Sequence, residues 1–440
     1  MDHFNLRGGV LHCEDVPLSN IAAAVGTPVY VYSSATMRRH VQVFREAVAA
    51  LSSPAVAGEG DHAQHGGGAL REPLIAYAVK ANPNAAVLAT LAREGVGADV
   101  VSGGEYRRAR AAGIPPERIV FSGVGKTEPE MALAIEGGLF QLNLESLEEA
   151  ETLSRVASAM GRSVPISFRI NPDVAAKTHA KISTGSAHNK FGIPIGDALR
   201  AYGLARDLPG LEVQGVSVHI GSQLMDLAPS RAAFEKVGGL IAELRAAGHA
   251  ISVADLGGGL GVPYDPAAPV PPSPAAYGQM VADVTRGWDV RFAFEPGRLI
   301  VANAGVLLSK VISVKPGAAG QFVIADAAMN DLLRPSLYDA WHAIEAVAPR
   351  GGTMTADVVG PVCESGDTFA RDRVMDRVEA GDLIIFRTAG AYGATMASTY
   401  NSRPLTPEVI VDGSRWALVR ERREVEDLIP EIIPDWLGPQ

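Results

Sequence analysis

The stretch LIAYAVKANPNAAVLATLAREGVGADVV, residues 74–101, contains the repeating unit from which the fold is predicted. It begins with a short apolar run at 74–79, continues with an amphipathic segment after Asn84, and ends with a second apolar run at 98–101. Two short strands joined by an amphipathic helix are typical of a βαβ unit, in which the strands lie parallel. The stretch therefore predicts the beginning of a parallel sheet.

The same alternation continues as far as residue 295. Helical patterns follow Ser146 and Pro229, among other places. Further apolar runs lie at 118–121, 139–143, 164–170, 211–220, 251–256 and 290–295. Eight strands that alternate with helices are what a (β/α)8 barrel requires. We therefore predict an α/β fold in which residues 36–300 form a TIM-like barrel.

The pattern changes after about residue 300, where strand-like segments are divided by Gly, Pro and Asp turn signals. These segments lie at 305–315, 320–327, 355–360, 382–388 and 407–413. We predict a C-terminal β-rich domain, a β-barrel or sandwich, over residues 301–440. The early segment TPVYVYS (27–33) precedes the first barrel unit, and we expect residues 1–35 to pair into this second domain.

The composition limits the possible functions. Of the 440 residues, 47% are hydrophobic and 20% charged, which is typical of a globular protein. The formal net charge of −10 argues against binding to nucleic acid or to an anionic membrane surface. The two cysteines, Cys13 and Cys363, are too few for a disulfide framework. No signal peptide and no apolar run long enough to cross a bilayer is visible, so we expect a cytoplasmic protein.

Residues 52–72 are rich in Gly and Ala and have no hydrophobic period, which predicts an exposed insertion. His62 and His65 lie within it, but no carboxylate or thiol cluster accompanies them. We interpret them as part of a solvated loop and expect no metal site there.

Unusual residues follow the predicted barrel strands at their C-terminal ends, where barrel enzymes build their active sites. Lys80 ends the first strand, and an ammonium group is costly to desolvate unless the protein uses it. Desolvation also favours the neutral amine that forms Schiff bases. Taken alone, however, a lysine at the end of a strand is more often simply solvated.

Two glycine-bearing turns follow the last two barrel strands, DLGGGLG at 255–261 and EPGR at 295–298. Glycines allow backbone N–H groups to approach phosphate oxygens, and barrels commonly bind phosphate at this place. Glu295 lies where a carboxylate would meet a pyridine nitrogen, and His219 ends the sixth strand where its ring could stack on such a group. A tight turn, a surface carboxylate and a structural histidine are the ordinary alternatives.

The second domain adds three polar motifs, DLLRPSLYDAWH (331–342), GPVCESGDTF (360–369) and GAYGATMASTYNSRP (390–404). Cys363 follows a Gly-Pro pair and precedes Glu364, which suits a positioned thiol acid. Small buried cysteines are common, so a structural role stays open.

Seven motifs, in order, resemble those of the alanine-racemase-type (fold type III) pyridoxal-phosphate (PLP) decarboxylases, specifically the branch that acts on meso-2,6-diaminopimelate. The resemblance extends over nearly the whole chain. The motifs are YAVKANPN, HIGSQL, GGGLG, EPGR, LLRPSLY, CESGD and AYGATMASTYNSRP. It implies that the chain uses PLP to convert meso-2,6-diaminopimelate into L-lysine and CO₂, the last step of lysine biosynthesis.

The resemblance also implies a role for each matching residue. Lys80 would anchor the cofactor covalently, His219 would stack on its ring, and Glu295 would pair with its ring nitrogen. The implied phosphate ligands are Ser222, Gly258, Gly259, Gly297, the backbone of Arg298, and Tyr392. The implied substrate ligands are Arg298, Arg334 and Tyr338 for the distal carboxylate, Glu364 for the distal ammonium, and Tyr392. Cys363 would protonate the product carbanion, and a homodimer with shared active sites is implied.

Two arginines suit a planar carboxylate, whereas a cationic substrate tail requires acidic groups. Diaminopimelate carries both charges at its distal end, so Arg together with Glu favours it over ornithine, arginine or carboxynorspermidine. A racemase commonly places an arginine against the pyridine nitrogen, so Glu295 argues against it. A non-catalytic homologue stays as a further alternative. The segment 177–193 departs from the family pattern, because it has HNKFG where a serine more often precedes KFG.

Overall fold

The computed structural model describes residues 2–51, 53–54, 70–174, 190–317, 320–429 and 434–437. Most of the predicted insertion at 52–72, with His62 and His65, lies outside the described residues, as does most of the segment 177–193. Contacts within the chain divide it into two compact units, which are residues 37–300 and residues 1–36 with 301–440.

Strands and helices are numbered along the chain. The strands are β1 (Phe4–Arg7), β2 (Val10–Cys13), β3 (Val16–Pro17), β4 (Val29–Ser33), β5 (Ser53–Pro54), β6 (Leu70–Arg71), β7 (Leu74–Ala78), β8 (Gly97–Val100), β9 (Ile119–Phe121), β10 (Gln141–Leu144), β11 (Val164–Asn171), β12 (Ile193–Pro194), β13 (Leu211–Val218), β14 (Val253–Asp255), β15 (Arg291–Phe294), β16 (Gly305–Pro316), β17 (Gln321–Ala325), β18 (Ile344–Ala346), β19 (Thr353–Val359), β20 (Thr368–Asp376), β21 (Leu383–Phe386), β22 (Glu408–Asp412) and β23 (Arg415–Arg420). The α-helices are α1 (Leu18–Val25), α2 (Ser34–Val48), α3 (Ala85–Arg93), α4 (Gly103–Ala111), α5 (Glu128–Gly137), α6 (Leu147–Met160), α7 (Ala198–Arg206), α8 (Ala228–Ala246), α9 (Pro274–Val284), α10 (Arg298–Val301) and α11 (Arg334–Tyr338).

Eight parallel strands close into a barrel in the unit of residues 37–300. The hydrogen-bonded order is β10, β9, β8, β7, β15, β14, β13 and β11, and β11 pairs back onto β10, with Leu142 opposite Ile166. The short strand β12 adds to β11 outside this ring. These eight strands coincide with the eight apolar runs, so the predicted TIM-like barrel is confirmed.

The helices of the barrel begin where the sequence predicts. The Asn84 side chain accepts a hydrogen bond from Ala86 N–H and caps α3, and Ser146 caps α6 by accepting from Glu149 N–H. Such caps satisfy backbone donors that have no partner within the helix. They fix where these two strand-to-helix loops end, and the loop before α3 carries Lys80.

Two strand ends differ from the sequence-based prediction. The sixth apolar run extends to residue 220, but β13 ends at Val218, and β15 ends at Phe294, one residue before Glu295. His219 leaves the ladder because its ring accepts a hydrogen bond from Gly258 N–H. Both functional side chains therefore lie in the loops beyond the strands.

The second unit is β-rich. Its large sheet has the order β20, β19, β17, β16, β4, β22 and β23, with β18 and β21 joined to it through β16. The early strand β4 pairs antiparallel with β16 and parallel with β22, so the predicted pairing of the N-terminal strand into the β domain is confirmed. Buried aliphatic residues from β4, β16, β21 and β22 form its core, namely Val29, Val31, Val306, Leu308, Ile385, Val409 and Val411.

Among the helices described, none has the length and apolar character that crossing a bilayer requires.

Removal of the Phe168 side chain tests how the barrel and its helices are held together. Phe168 on β11 is fully buried, and its ring lies 5.2 Å from that of Tyr202 on α7, centroid to centroid. We expect Phe168→Ala to lower the free energy of unfolding by about 3–5 kcal/mol, because the cavity forms in a packed layer. Leu199 on the same helix is 45% exposed, so Leu199→Ala should change it by less than about 0.5 kcal/mol. Equal costs in denaturant titrations would contradict this account.

Candidate active site

Lys80 lies at the C-terminal mouth of the barrel, in the 3-10 turn Val79–Ala81 that follows β7. Its Nζ is 3.2 Å from Oδ2 of Asp99, a fully buried residue of the neighbouring strand β8. The other oxygen of Asp99 is buried and has no hydrogen-bond partner among the described residues. The sequence analysis missed Asp99, although an acid within the otherwise apolar strand GADV was a signal for it.

His219 follows β13 and is held by the glycine loop after β14 and by Arg169 of β11. Its Nδ1 accepts a hydrogen bond from Gly258 N–H (3.2 Å), and its carbonyl oxygen accepts one from Arg169 Nη2 (3.4 Å). Desolvation lowers the pKa of His219 well below its ordinary value, and the charges of Arg169 and Lys80 lower it further. The imidazole is therefore neutral near pH 7, with Nδ1 as the acceptor and the proton on Nε2.

The glycine loop after β14 lies directly against its neighbours. A Cβ atom at Gly258 would overlap the carbonyl oxygen of Glu295, and one at Gly259 would overlap that of Gly221. Gly259 also has a φ of +109°, which side-chain-bearing residues rarely adopt. Gly297 has less severe crowding, since its Cβ would lie 3.0 Å from that of Ala78. Glycine is therefore required at Gly258 and Gly259 for these loops to pack closely against one another.

The loop that carries Ser222 is joined to the glycine loop by backbone hydrogen bonds. Leu224 N–H donates to the carbonyl of Gly259 (2.8 Å), and Gly261 N–H donates to the carbonyl of Leu224 (3.1 Å). Arg298 reaches the same place from the loop after β15. Its Nη2 donates to Ser222 Oγ (3.1 Å), and its Nη1 donates to Tyr264 Oη (2.7 Å).

Glu295 is only 8% exposed and has acidic neighbours. Its Oε1 accepts a long hydrogen bond from Ser122 Oγ (3.4 Å), and its carboxyl group is hydrogen-bonded to that of Asp255. Burial raises the pKa of Glu295 well above its ordinary value, and the charges of Asp255 and Asp99 raise it further. Lys80 opposes this increase only in part.

These observations allow a test of whether PLP fits the site. An amine, the glycine loops and three buried acids, Glu295, Asp255 and Asp99, converge at one mouth of the barrel. The acids outnumber the single lysine, so the site favours a ligand that brings positive charge to Glu295. The guanidinium of Arg298, which lies at Ser222 beside the glycine loop, favours an anion there. A pyridinium ring with a phosphate arm has both properties, so the residues present fit PLP.

Cys363 and Glu364 lie in an exposed loop of the second unit. The Cys363 N–H donates to Asn401 Oδ1 (3.1 Å), and a hydrogen bond to Glu364 raises the pKa of Tyr400. Asp367 fixes the base of this loop, because its carboxylate accepts hydrogen bonds from Met329 and Val362 N–H groups (2.6 and 2.7 Å). An exposed thiol is expected of a reactive cysteine, whereas a cysteine with only a packing role is usually buried.

Arg334 and Tyr338 lie together on α11 in the second unit. Arg334 is buried, and its Nη1 lies 2.8 Å from Nε2 of His342, whose Nδ1 lies 2.8 Å from the carbonyl oxygen of Arg387. The neutral imidazole that donates through Nδ1 and accepts through Nε2 satisfies both contacts. Tyr392 has a φ of +56°, a conformation that is uncommon for a tyrosine and is found more often at functional sites.

Within the described part of the chain, no cluster of three or more His, Cys, Asp or Glu residues is arranged to hold a metal ion.

Comparison with known proteins identifies the family. Residues 63–302 match the family described as pyridoxal-dependent decarboxylase, pyridoxal binding domain. The diaminopimelate decarboxylase of Zymomonas mobilis is 54% identical over 99% of this chain and 99% of the relative, and that of Vibrio cholerae is 47% identical over 99% and 100%. The crystal structure of diaminopimelate decarboxylase from M. jannaschii in co-complex with L-lysine has a TM-score of 0.91 at 35% identity and covers 99% of each chain.

These similarities extend over both units of the chain, and they confirm the resemblance that the ordered motifs indicate. The chain belongs to the pyridoxal-dependent decarboxylase family and, within it, to the diaminopimelate decarboxylases.

Proposed function

We propose that this protein decarboxylates meso-2,6-diaminopimelate to L-lysine and CO₂ with PLP as its cofactor, as the last step of lysine biosynthesis. One observation carries the proposal. Lys80, Glu295 and the two glycine loops, which are far apart in sequence, converge at the C-terminal mouth of a single barrel. The names of the full-length relatives support the substrate.

The residues at the barrel mouth would hold the cofactor. Lys80 would be its covalent anchor, the neutral ring of His219 would pack against its face, and Glu295 would pair with its ring nitrogen. Its phosphate would be bound by Ser222, Gly258, Gly259, Gly297, the backbone of Arg298, and Tyr392. When bound there, PLP supplies the electron sink that makes loss of CO₂ from an amino acid possible.

Asp99 would act on Lys80. The buried carboxylate lies 3.2 Å from the amine, so it holds the lysine side chain in one orientation and stabilises its protonated form. Lys80 would therefore be held at the barrel mouth, where its amine would be in place to bind the cofactor.

The substrate's distal end carries a carboxylate and an ammonium group. Arg298, Arg334 and Tyr338 would bind the carboxylate, Glu364 would bind the ammonium, and Tyr392 would add a contact to the substrate. A planar guanidinium matches a carboxylate through two parallel hydrogen bonds. A substrate with only a cationic tail, such as ornithine, would leave the arginine groups without this partner.

Cys363 would deliver the proton that completes lysine. Its exposed thiol lies beside Glu364 in the same loop, so one loop would supply both the acid and a substrate ligand. The family resemblance supports a cytoplasmic homodimer with shared active sites, to which each subunit contributes this loop. In this arrangement residues 36–300 form the cofactor-binding domain, and residues 301–440, with residues 1–35, form the β domain.

The substrate assignment is tested with purified protein loaded with PLP. We expect equimolar CO₂ and L-lysine from meso-2,6-diaminopimelate, and turnover of L-ornithine and L-arginine lower by orders of magnitude, because neither carries a distal carboxylate. Release of CO₂ is measured together with chromatographic detection of the amine product. Faster release of CO₂ from ornithine or arginine would contradict the assignment.

Lys80→Ala tests the covalent anchor. We expect the variant to lack the visible absorbance of the bound cofactor, because no other amine would replace the missing one. Borohydride reduction of the unaltered protein should leave the cofactor label on the peptide that contains Lys80, as measured by mass spectrometry. Lys310→Ala, at an exposed position of β16, is the matched control and should keep the absorbance. Retained absorbance in Lys80→Ala would overturn this role.

Cys363→Ala tests the proton donor. We expect turnover to fall by about 10²–10⁴-fold, which is the usual contribution of a general acid, while PLP occupancy stays unchanged. Turnover is measured by CO₂ release and occupancy by absorbance. Cys13→Ala removes the other thiol, which is buried in the core of the second unit, and should retain turnover. An equal loss of turnover and of PLP in Cys363→Ala would indicate a structural thiol instead.

A further inference from the structure

Asp255, the last residue of β14, has no assigned role, yet it lies at the centre of the polar groups inside the barrel. Its side chain is fully buried. Oδ1 accepts a hydrogen bond from Gly257 N–H (3.0 Å), and Oδ2 accepts one from Asn143 Nδ2 (2.9 Å). Its third polar neighbour is the carboxyl group of Glu295, to which it is hydrogen-bonded.

The orientation of the Asn143 amide is fixed by its own neighbours. Gln141 Nε2 donates to Asn143 Oδ1 (2.7 Å), so the oxygen of this amide is occupied and its nitrogen faces Asp255. The same nitrogen also donates to Ser122 Oγ (3.1 Å), and Ser122 in turn donates to Glu295. Asp255 therefore receives N–H donors from two sides, and such donors stabilise the ionised form of a carboxylate.

A hydrogen bond between two carboxyl groups requires one proton between them, because an ionised carboxylate only accepts. Burial raises the pKa of both acids, but the donors at Gly257 and Asn143 oppose this increase at Asp255, so the proton belongs to Glu295. The charged groups around Glu295 agree with this assignment. Beyond the effect of burial, Asp255 and Asp99 raise its pKa further, and Lys80 is the cation that opposes them.

Burial raises the pKa of Tyr277 of α9, and the charge of Asp255 raises it further, so the tyrosine hydroxyl stays neutral. Tyr277 therefore adds no negative charge beside that of Asp255 and Glu295.

We propose that Asp255 is a positioning residue that orients Glu295 and shares one proton with it, so that the buried pair presents a single negative charge to the ring nitrogen of the cofactor. Two separate charges at this depth would repel each other and would turn Glu295 away. The part of the proposal that concerns the cofactor rests on the proposed function, whereas the shared proton is a property of the protein alone.

Infrared difference spectroscopy of the cofactor-free protein tests the shared proton. We expect the band of a protonated carboxyl group at neutral pH, and its absence in Glu295→Gln. In Asp255→Asn the band should vanish at a pH about 1–3 units lower than in the unaltered protein, because the like charge is gone. A band that is missing at neutral pH, or that titrates identically in Asp255→Asn, would overturn the proposal.

Asn143→Ala gives an opposite change and keeps the test decisive if Asp255→Asn does not fold. The substitution removes the donor to Asp255 and leaves both carboxyl groups in the protein. A second negative charge on the pair of Asp255 and Glu295 then becomes harder to form, so the band of the protonated carboxyl group should persist to higher pH. Ser122→Ala removes a long hydrogen bond to Glu295 and one acceptor of Asn143 but leaves the contact between Asn143 and Asp255, so it should shift the titration little. Circular dichroism verifies the fold of each variant. Shifts in the same direction for Asn143→Ala and Asp255→Asn would contradict the charge argument.

The PLP-loaded protein provides the second readout. In Asp255→Asn the pH dependence of the cofactor absorbance should change, and kcat should fall more than KM rises, because the substrate ligands are intact. If the unaltered protein does not release CO₂ from diaminopimelate, the proposed function fails and the infrared result still stands. If it does so while the shared proton is absent, only the role of Asp255 fails.

Discussion

The structure of the site depends on how buried negative charge is compensated at the mouth of the barrel. Asp99, Asp255 and Glu295 are buried there, and Lys80 is the cation in contact with Asp99. An uncompensated buried carboxylate is too costly to persist, so it gains a proton, a donor or a cation. In this chain Asp99 has Lys80, Asp255 has two N–H donors, and Glu295 has a proton. A PLP ring would bring positive charge to the single negative charge that Asp255 and Glu295 share.

Backbone geometry is the second constraint on the site. The glycines at 257–259 pack against the carbonyl groups of neighbouring loops, where a side chain would collide. Backbone hydrogen bonds join the loop of Leu224 to the same glycine loop. The packing of the region proposed for the phosphate is therefore set by the main chain, and Arg298, which lies beside it, is held by Ser222 and Tyr264.

The second unit presents its site residues differently. Arg334 is buried, and a neutral histidine is one of its hydrogen-bond partners. Cys363 and Glu364 instead lie on an exposed loop whose base is fixed by Asp367. A buried cation and an exposed thiol agree with the proposed roles, in which the helix of Arg334 binds the substrate and the loop of Cys363 supplies a proton.

The sequence by itself determined the eight barrel strands, the helices that follow Asn84 and Ser146, and the glycine loops, because each is a local signal of periodicity or backbone freedom. The sequence also indicated Lys80, His219 and Glu295, because polar residues that follow apolar strands can be recognised from the sequence alone. Only the tertiary structure decided their partners. Asn143 and Asp255 are 112 residues apart, and Ser122 and Glu295 are 173 apart. Asp99 and Asp255 lie in strands in which the adjacent residues are apolar. The local sequence shows that each is an acid in a buried strand, but it does not show whether the acid has a partner that compensates its charge. Barrel closure brings these strands together, and the resulting contacts determine which acid carries charge and which carries a proton.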